Sequence, residues 1–592
     1  MSTMKIFDAH ISPVSQQFIH QKLTPHISLS GANKLLQSVS GIVSFFETET
    51  DLQELKDTLS STSKILKKPD RAEYGDFQTN SHLAITISKY LSMKIDEPDV
   101  VIEPTCGKGN FIVAALKTFK YLKKVYGIEI YRPYVWETKF SILDFFIENP
   151  NTNKPDIFIS HYNVFDFDFN TIASEVAGQN ILVIGNPPWV TNSMLGGLNS
   201  SNLPAKSNFK KHNGLDAITG KGNFDIGEYI TMIMLETFQH LNGNIALLVK
   251  NSVIKNIIFD QKKNKYKIGN IEKYCIDSKK EFDVSVDAAL FFSQLNASPS
   301  FKCNEFDFYK NSNPLLTFGW VDEKFVSNVR TYVHSKDIDG DCPFEWRQGL
   351  KHDCSTVMEF EKVNGHYLNA LSEEVELESG LVYGILKSSD LKNTILKTSR
   401  KYTIVTQRKI GKETSYIRSA YPKTYQYLLD HKQSFDARKS SIYKGKPSFS
   451  IFGIGDYSFK PYKVVISGMY KTFHFTLVLP EKKKPLMLDD TCYMLGFDNL
   501  DYAVYTLILL NSQPAKEFLQ SITFPDAKRK FTKEVLMRID LNKLSDKLSF
   551  DELKHEIKKL NEQYFLNATT NNWNSFVEQI RPVLSRQIAM FA

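Results

Sequence analysis

Short runs of apolar residues alternate with longer amphipathic stretches between residues 71 and 300. The apolar runs are VVIE, VYGIEI, DIFIS, ILVIG, NIALLVK and AALFFSQL. Such runs, rich in Val, Ile and Phe, predict strands that are buried on both faces, as in a parallel sheet. The stretches between them, such as NFIVAALKTF and EYITMIMLETF, have the apolar period of helices. Alternating strands and helices predict an α/β fold with a doubly wound sheet.

The pattern changes on both sides of this region. The first 70 residues are largely polar with helical spacing, whereas short β-like runs and turns follow one another irregularly after residue 300. A chain of 592 residues is also too long for one core. We therefore expect four parts, which are a helical N-terminal extension (1–70), an α/β domain (71–300), a mixed α+β domain (301–540) and a C-terminal helical segment (541–592).

Composition narrows the class of protein. Apolar residues make up 42% and charged residues 23%, which is typical of a soluble globular protein. No apolar run approaches the roughly 18 residues of a membrane span, and the N-terminus lacks the layout of a signal peptide. We therefore expect a cytoplasmic protein that does not contact membranes. The six cysteines are scattered without a CxxC pair, so we expect reduced thiols and no metal site.

Positive charge is concentrated in one segment. Residues 391–480 contain 17 Lys and Arg against four Asp and Glu, an excess of 13, whereas the whole chain carries only +7. Tyr and Phe residues are interspersed among these cations. A basic, aromatic-rich block in a nearly neutral chain indicates a surface for a polyanion, most often a nucleic acid. The alternative is a basic face that only contacts solvent.

Two carboxylates stand at the ends of the first two predicted strands. Glu103 precedes the turn TCGKG, and Glu129 follows 26 residues later. Ligands of such sheets bind beyond the carboxyl ends of the strands, where an acid on the second strand accepts hydrogen bonds from ribose hydroxyls. The full G-x-G-x-x-G pattern is absent, and Glu103 would repel a phosphate. A cationic nucleoside without phosphates fits both acids, and S-adenosylmethionine is such a ligand.

The fourth predicted strand ends in the tetrapeptide Asn186-Pro187-Pro188-Trp189. The two prolines fix the backbone, so the Asn186 side-chain oxygen and the Pro187 carbonyl can form a rigid pair of acceptors. Two acceptors on one amino group favour a pyramidal nitrogen and free the lone pair of a planar amine for methylation. Trp189 offers a flat face on which a base can stack. The alternative is a structural turn beside a core tryptophan. The following residues, 191–223, are rich in Gly, Ser, Asn and Lys and predict a long mobile loop.

These motifs together resemble the amino-DNA methyltransferases, and specifically the γ class of N6-adenine methyltransferases of restriction–modification systems. The family's order is cofactor motif, catalytic motif and then a C-terminal recognition region. The resemblance covers residues 71–300 closely and 301–540 loosely. It implies a Rossmann-like, S-adenosylmethionine-dependent methyltransferase domain followed by a mixed α+β DNA target-recognition domain. The implied activity is methylation of an adenine that is flipped out of duplex DNA.

The resemblance also assigns residues to roles. The element YGDFQTN matches a motif that holds the methionine end of the cofactor, although Asn80 replaces the usual proline. The catalytic tetrapeptide has Trp189 where tyrosine or phenylalanine is commoner, and Phe282 matches a second residue that stacks on the target base. The implied cofactor residues are Phe77, Thr79, Glu103, Thr105, Cys106, Gly107, Gly109, Glu129, Asn163, Val164 and Asn186. Aspartate is usual at position 163.

The implied partner is double-stranded DNA, which the basic block would grip by its phosphates and read in a groove. We found no D…ExK grouping typical of a fused nuclease, so a cognate restriction endonuclease is expected as a separate chain. The candidate DNA-binding residues are Arg400, Arg408, Lys409, Lys412, Arg418, Arg438, Lys439, Lys444 and Lys446.

Two other functions agree with parts of the pattern. Similar Asn-Pro-Pro turns serve enzymes that methylate guanine N2 in ribosomal RNA or a glutamine amide in proteins. Those enzymes are usually shorter, and the long basic C-terminal half argues against them. A catalytically inactive DNA-binding specificity protein is the second alternative, and the presence of Asn186 with both strand-end acids argues against it.

Overall fold

The computed structural model describes residues 11–23, 26–60, 78–191, 225–284, 286–310, 313–469, 473–527 and 529–582. Two compact units divide the chain, Met1–Phe325 and Val326–Ala592. Phe77 and the predicted loop, apart from its first residue Thr191, lie outside the described residues. No helix in the described ranges is long and apolar enough to cross a membrane.

The first unit is built on a ten-stranded sheet. Its strands are β1 (Val100–Glu103), β2 (Lys124–Glu129), β3 (Asp156–His161), β4 (Ile181–Gly185), β5 (Gly243–Lys250), β6 (Ile268–Cys275), β7 (Ala288–Leu295), β8 (Lys302–Asp307), β9 (Leu316–Val321) and β10 (Lys324–Val326). Their order is β10-β9-β8-β6-β7-β5-β4-β1-β2-β3. Strands β3, β2, β1, β4 and β5 run parallel, and β7 runs antiparallel to β5 and β6. The predicted doubly wound α/β fold is confirmed.

Helices precede the sheet and connect its strands. They are α1 (Pro13–Lys22), α2 (Leu29–Ser40), α3 (Glu49–Ser60), α4 (Ser81–Ser92), α5 (Asn110–Thr118), α6 (Arg132–Glu148), α7 (Phe169–Glu175), α8 (Ile226–Phe238), α9 (Asn251–Asn264) and α10 (Ser278–Phe282). Strands β1 and β4 are buried along their whole length, since parallel strands are covered on both faces. Ile112 of α5 and Phe140 of α6 belong to the same core cluster as Val125 of β2.

The sheet continues beyond residue 300, where the sequence analysis places a domain boundary. Strand β8 pairs parallel to β6, and β9 pairs antiparallel to β8. These late strands are only partly buried, so their sequences lack the apolar runs that predict the central strands. The division of the chain into four parts stays a prediction.

The second unit has a mixed α+β architecture with two sheets. One has the order β11-β21-β18-β19-β16 and the other β14-β13-β12-β17-β15-β20. The strands are β11 (Arg347–Gln348), β12 (Glu359–Val363), β13 (His366–Leu368), β14 (Glu374–Val375), β15 (Val382–Leu386), β16 (Ile395–Leu396), β17 (Lys401–Ile404), β18 (Tyr462–Ser467), β19 (Thr476–Val478), β20 (Met487–Leu488) and β21 (Cys492–Phe497).

Helices of this unit precede, interrupt and follow the strands. They are α11 (Val329–Ser335), α12 (Ser355–Met358), α13 (Ile417–Ala420), α14 (Pro422–Asp430), α15 (Lys432–Asp436), α16 (Leu500–Asn511), α17 (Gln513–Ile522), α18 (Lys533–Leu536), α19 (Leu541–Ser545), α20 (Phe550–Tyr564) and α21 (Trp573–Ile580). The basic block lies in the part of this unit that runs from β16 to β19.

Candidate active site at the carboxyl ends of the strands

The carboxyl ends of four parallel strands meet at one cleft of the first unit. It encloses about 850 Å³ of space, its open mouth included. Glu103 ends β1 and Glu129 ends β2, while Asn186 directly follows β4. The predicted residues that line the cleft are Thr79, Glu103, Thr105, Cys106, Gly107, Glu129, Asn163, Val164, Asn186 and Pro188. Parallel topology therefore brings most of the predicted site together.

Glu129 is fixed by two backbone amides. Gly107 N–H donates to its Oε2 at 2.8 Å, and Tyr131 N–H donates to its Oε1 at 2.7 Å. The glycine turn is held from a second side, because Thr138 Oγ1 donates to the Gly107 carbonyl at 2.8 Å. Gly109 does not line the cleft. It begins α5 in the left-handed conformation, with φ of 77°, and lies against Thr138.

Glu103 is 2% exposed, and its Oε2 has no hydrogen-bond partner among the described residues. Burial raises the pKa of this carboxyl well above its usual range, the Ile112 backbone opposes the shift, and Glu129 adds to it. Thr105 Oγ1 is a second buried atom without a partner in the described structure. Buried polar atoms normally find partners. A ligand that brings hydrogen-bond donors or positive charge would satisfy both of them, and S-adenosylmethionine fits this requirement.

Cys106 lies beside these acids but is not suited to nucleophilic chemistry. Its side chain is buried, and burial raises the thiol pKa well above its ordinary value, with further contributions from Glu103 and Glu129. A reactive cysteine requires the thiolate form. Cys106 therefore contributes shape to the cleft rather than a reacting group. Among the described residues, no cluster of three or more His, Cys, Asp or Glu side chains could hold a metal ion.

Asn186 is oriented by Thr79. The amide Nδ2 of Asn186 donates to Thr79 Oγ1 at 3.1 Å, so the carbonyl oxygen Oδ1 is the atom turned away from Thr79. Asn110 in turn donates from Nδ2 to the Thr79 carbonyl at 2.8 Å and fixes the backbone there. This chain of hydrogen bonds joins the predicted FQTN element to Asn186. Phe77 of that element lies outside the described residues.

The two predicted stacking residues contact each other. Trp189 and Phe282 meet edge to face, with ring centroids 4.9 Å apart and ring planes at 64°. Both side chains are buried. The indole N–H of Trp189 also donates to the Leu248 carbonyl in β5 at 3.2 Å. Phenylalanine at this position would lack this anchoring bond, because its ring has no polar donor.

A buried ion pair lies close to the Asn-Pro-Pro turn. Asp225 Oδ2 accepts from Lys250 Nζ at 2.6 Å, and both side chains are largely buried. Asp225 also caps α8 by accepting from Gly227 N–H at 2.9 Å. A Cβ on Gly227 would lie 3.3 Å from the Pro188 carbonyl, so this helix start lies against the Asn-Pro-Pro turn. Sequence reasoning missed this pair, because its members are 25 residues apart.

Several cleft residues were also missed. They are Gln78, Tyr131, Tyr134, Tyr162 and Phe165. Gln78 lies within the FQTN element, where its Oε1 accepts from Lys108 N–H at 3.3 Å, so the motif itself was a usable signal. The aromatic residues follow strands β2 and β3 within a few positions, and this placement after a strand end was the signal that could have found them.

The basic block is less uniform than its sequence indicates. Eight of the nine candidate residues are exposed, and Arg438 is the exception. Among the exposed ones, Arg400 pairs with Asp390, and Lys409 Nζ lies 3.4 Å from Asp456 Oδ2. Arg438 instead turns inward, where it lies 3.7 Å over the Tyr443 ring and donates to three backbone carbonyls. These carbonyls belong to Phe435, His352 and Ser450.

Apart from Arg400, the exposed candidates form two groups along the chain. Arg408, Lys409 and Lys412 surround the turn after β17, and Arg418 belongs to α13. Lys439, Lys444 and Lys446 follow α15. Another cation of the block, Lys463, is fully buried in β18, and burial lowers the pKa of its amine to about 7. The excess of positive charge on the surface of the block is therefore smaller than the excess of 13 counted in its sequence.

Comparison with known proteins identifies relatives over most of the chain. No protein-family model matches the sequence. The type II methyltransferase M.NspV of Nostoc sp. (strain ATCC 29411 / PCC 7524) is 39% identical over 477 residues, which are 80% of this chain and 98% of that protein.

Among solved structures, the type IIL restriction–modification enzyme MmeI in complex with DNA is similar with a TM-score of 0.51 and 12% identity. That match covers 98% of this chain and 90% of MmeI, and it supports the fold alone. DrdV, solved with DNA by cryo-electron microscopy, matches 90% of this chain and 62% of its own with 11% identity and a TM-score of 0.41. On the sequence match to M.NspV, the chain belongs to the type II methyltransferases.

Proposed function

We propose that this protein is a γ-class, site-specific DNA methyltransferase that transfers a methyl group from S-adenosylmethionine to N6 of a flipped adenine. One observation carries the proposal. Asn186, at the end of β4, lines the same cleft as Glu103 and Glu129, at the ends of β1 and β2. An amine held at Asn186 and a cationic nucleoside held at the two acids would share one cavity, which is the arrangement that direct methyl transfer requires.

The cofactor side of the cleft would bind without phosphate contacts. Glu129, already ordered by two amides, has lone pairs left for ribose hydroxyls. Glu103 Oε2 and Thr105 Oγ1 are buried without a partner in the described structure and would accept hydrogen bonds from the cofactor or donate them to it. Loss of solvent around Glu103 favours its neutral form, and a cation beside it would favour the carboxylate instead. When bound, S-adenosylmethionine supplies a methyl group activated by a sulfonium.

The catalytic side would prepare the amine. Asn186 Oδ1 and the Pro187 carbonyl accept the two hydrogens of the amino group and draw its lone pair out of conjugation with the ring. The nitrogen forms one bond to the methyl carbon while the methyl–sulfur bond breaks, and its surplus proton passes to solvent. No strongly basic side chain is needed, because the methyl group is already activated. Trp189 and Phe282 would hold the flipped base by stacking.

Duplex DNA is the substrate that best explains the second unit. The MmeI structure contains DNA, and the exposed turn with Arg408, Lys409 and Lys412 carries three cations that phosphates and base edges could contact, with Lys409 exchanging its exposed partner Asp456. We leave Arg438 out of the proposed DNA surface, because three backbone carbonyls occupy its guanidinium. The biological role would be protection of host DNA, with a separate cognate endonuclease.

Modification mapping tests the function directly. DNA from a methylation-free host that expresses the protein should carry N6-methyladenine at one short recognition sequence. The Asn186→Ala variant is the matched control and should leave the DNA unmodified. Methylation of ribosomal RNA or of a protein glutamine, with unmodified DNA, would favour the alternative planar amines. An unmodified methylome with sequence-specific DNA binding would favour an inactive specificity protein.

Charge reversal tests the DNA surface. Lys409→Glu with Lys412→Glu should weaken DNA binding and reduce the slope of log affinity against log salt by about one unit for each phosphate that is no longer bound. Lys554→Glu with Lys558→Glu changes the same charge on exposed positions of α20 and serves as the control. Equal binding by both double variants would place the DNA surface elsewhere.

A further inference from the structure

Helix α6 connects the cofactor cleft to the N-terminal segment. On the cleft side, Tyr134 lines the cavity and Thr138 holds the Gly107 carbonyl. Glu137 adds an ion pair with Lys108 of the glycine turn at 3.0 Å. The position of α6 therefore sets the position of the turn that would receive the cofactor.

The start of α6 is held by two acids of the N-terminal segment. Arg132 donates from its NH2 group to Asp51 Oδ1 at 2.7 Å and to Glu54 Oε2 at 3.2 Å. Asp51 is itself rigid, because its Oδ2 accepts from the amides of Glu47 and Thr48 at 3.1 and 2.9 Å. All of these ion-pairing side chains are at most about one quarter exposed, so solvent screens them only in part.

The middle of α6 is held by a buried amine. Lys139 is 1% exposed, and its Nζ donates to the carbonyls of Phe45 at 2.9 Å and Ser44 at 3.3 Å. Phe45 packs on Trp136 and Phe140 of the same helix, with ring centroids 6.1 and 5.6 Å apart. Apolar packing thus surrounds the polar contact on this face.

The same segment reaches the edge strand β3. Val43 N–H donates to the Ile157 carbonyl and Ile157 N–H donates to the Gly41 carbonyl, both at 2.9 Å. Strand β3 leads into Tyr162, which lines the cleft. The N-terminal segment therefore contacts both elements that flank the nucleoside end of the cleft.

We propose that residues 28–57, the N-terminal brace, set the affinity of the cleft for its cofactor, and that Arg132 and Lys139 are the positioning residues through which they act. This role rests on the proposed use of S-adenosylmethionine. The hydrogen bonds and ion pairs described above join the brace to α6 and β3, so its effect passes through these two elements. In a protein without the brace, α6 would sample several positions, and binding would have to select one of them.

Cofactor titration calorimetry on the full chain tests the brace. Arg132→Met and Lys139→Met should each raise the Kd for S-adenosylmethionine about tenfold, which corresponds to about 1.4 kcal/mol. The kcat at saturating cofactor should stay within about twofold, since the turn that holds Asn186 follows β4 rather than α6 or β3. Arg132→Lys, which keeps a cation beside Asp51 and Glu54, should restore most of the affinity.

A control at the far end of α6 separates positioning from general packing. Ser12→Ala with Ser15→Ala removes two hydrogen bonds to Asp144, each 2.6 Å, from the same N-terminal region. This double variant should leave the Kd unchanged. An unchanged Kd in folded Arg132→Met would refute the proposed role of the brace, even if Lys139→Met fails to fold. A wild-type protein that binds no S-adenosylmethionine would instead contradict the proposed function, and this role with it.

Discussion

Replacing Gly109 by alanine should loosen the cofactor turn by about 2–3 kcal/mol. Gly109 begins α5 with φ of 77° and ψ of 19°. An L-residue in this left-handed conformation costs roughly 1–2 kcal/mol. The new Cβ would also lie 2.7 Å from Thr138 Cγ2 and 3.0 Å from Thr138 Oγ1, so Thr138 must move. Its hydrogen bond to the Gly107 carbonyl, worth about 1 kcal/mol, would then break.

Gly178→Ala is the matched control, because Gly178 has φ of +81° and nothing within 4 Å of an added Cβ. It should show the backbone cost alone. Urea unfolding and cofactor calorimetry on both variants would separate the two contributions. We expect Gly109→Ala to bind S-adenosylmethionine at least about tenfold more weakly, and Gly178→Ala to bind it like the wild type. Equal affinity and stability of the two variants would refute the role assigned to the contact between Gly109 and Thr138.

Three further predictions concern the rest of the first unit. Trp189→Ala should reduce the fluorescence gain of 2-aminopurine at the target position more than Trp189→Phe does, because stacking is worth about 1–3 kcal/mol per base; equal gains would remove Trp189 from the pocket. Lys250→Met should lower the free energy of unfolding by about 2–3 kcal/mol, since it leaves the carboxylate of Asp225 buried without its cation. The control Lys262→Met breaks a pair with an exposed glutamate and should lower the free energy of unfolding by less than about 1 kcal/mol. Burial lowers the pKa of Lys139 from 10.5 to about 8, so the unfolded chain holds this proton up to higher pH than the folded chain. The stability of the wild type relative to Lys139→Met should therefore rise by about 3 kcal/mol between pH 8 and 10.5, and parallel stability curves for the two proteins would contradict the burial of the charged amine.

The fold was predictable where burial controls the sequence. Strands β1 and β4 are covered on both faces, so nearly every side chain along them must be apolar, as in the runs VVIE and ILVIG. Strands β8 and β9 lie near the sheet edge and are only partly buried, so their sequences do not distinguish them from the irregular region that follows. The predicted boundary at residue 300 reflects this loss of pattern.

The site was predictable where the topology of the sheet alone determines which residues meet. Parallel strands end at one edge of the sheet, so acids and amides placed at strand ends meet without any knowledge of side-chain contacts. Glu103, Glu129 and Asn186 were found in this way. The Asp225–Lys250 pair was not found in this way, because a helix and a strand separate the two residues along the chain.

Cations that turn toward the protein interior were the hardest feature to predict. Arg438 and Lys463 belong to the most basic segment of the sequence, and nothing in that segment marks them as interior. Their surroundings come from distant residues, as with the His352 carbonyl that accepts from Arg438 across 86 positions. The N-terminal brace was missed for the same reason, since helical spacing shows that a helix forms but not what Arg132 and Lys139 contact.

The reaction that we propose for the cleft is methylation of N6 of adenine in DNA through Asn186. Its most direct test is nucleoside analysis by mass spectrometry of duplex DNA that contains the mapped site, after incubation with purified protein and isotopically labelled S-adenosylmethionine. We expect labelled N6-methyldeoxyadenosine with the wild type and none with Asn186→Ala. Labelled methylcytosine, or labelled adenine produced equally by the Asn186→Ala variant, would contradict this reaction.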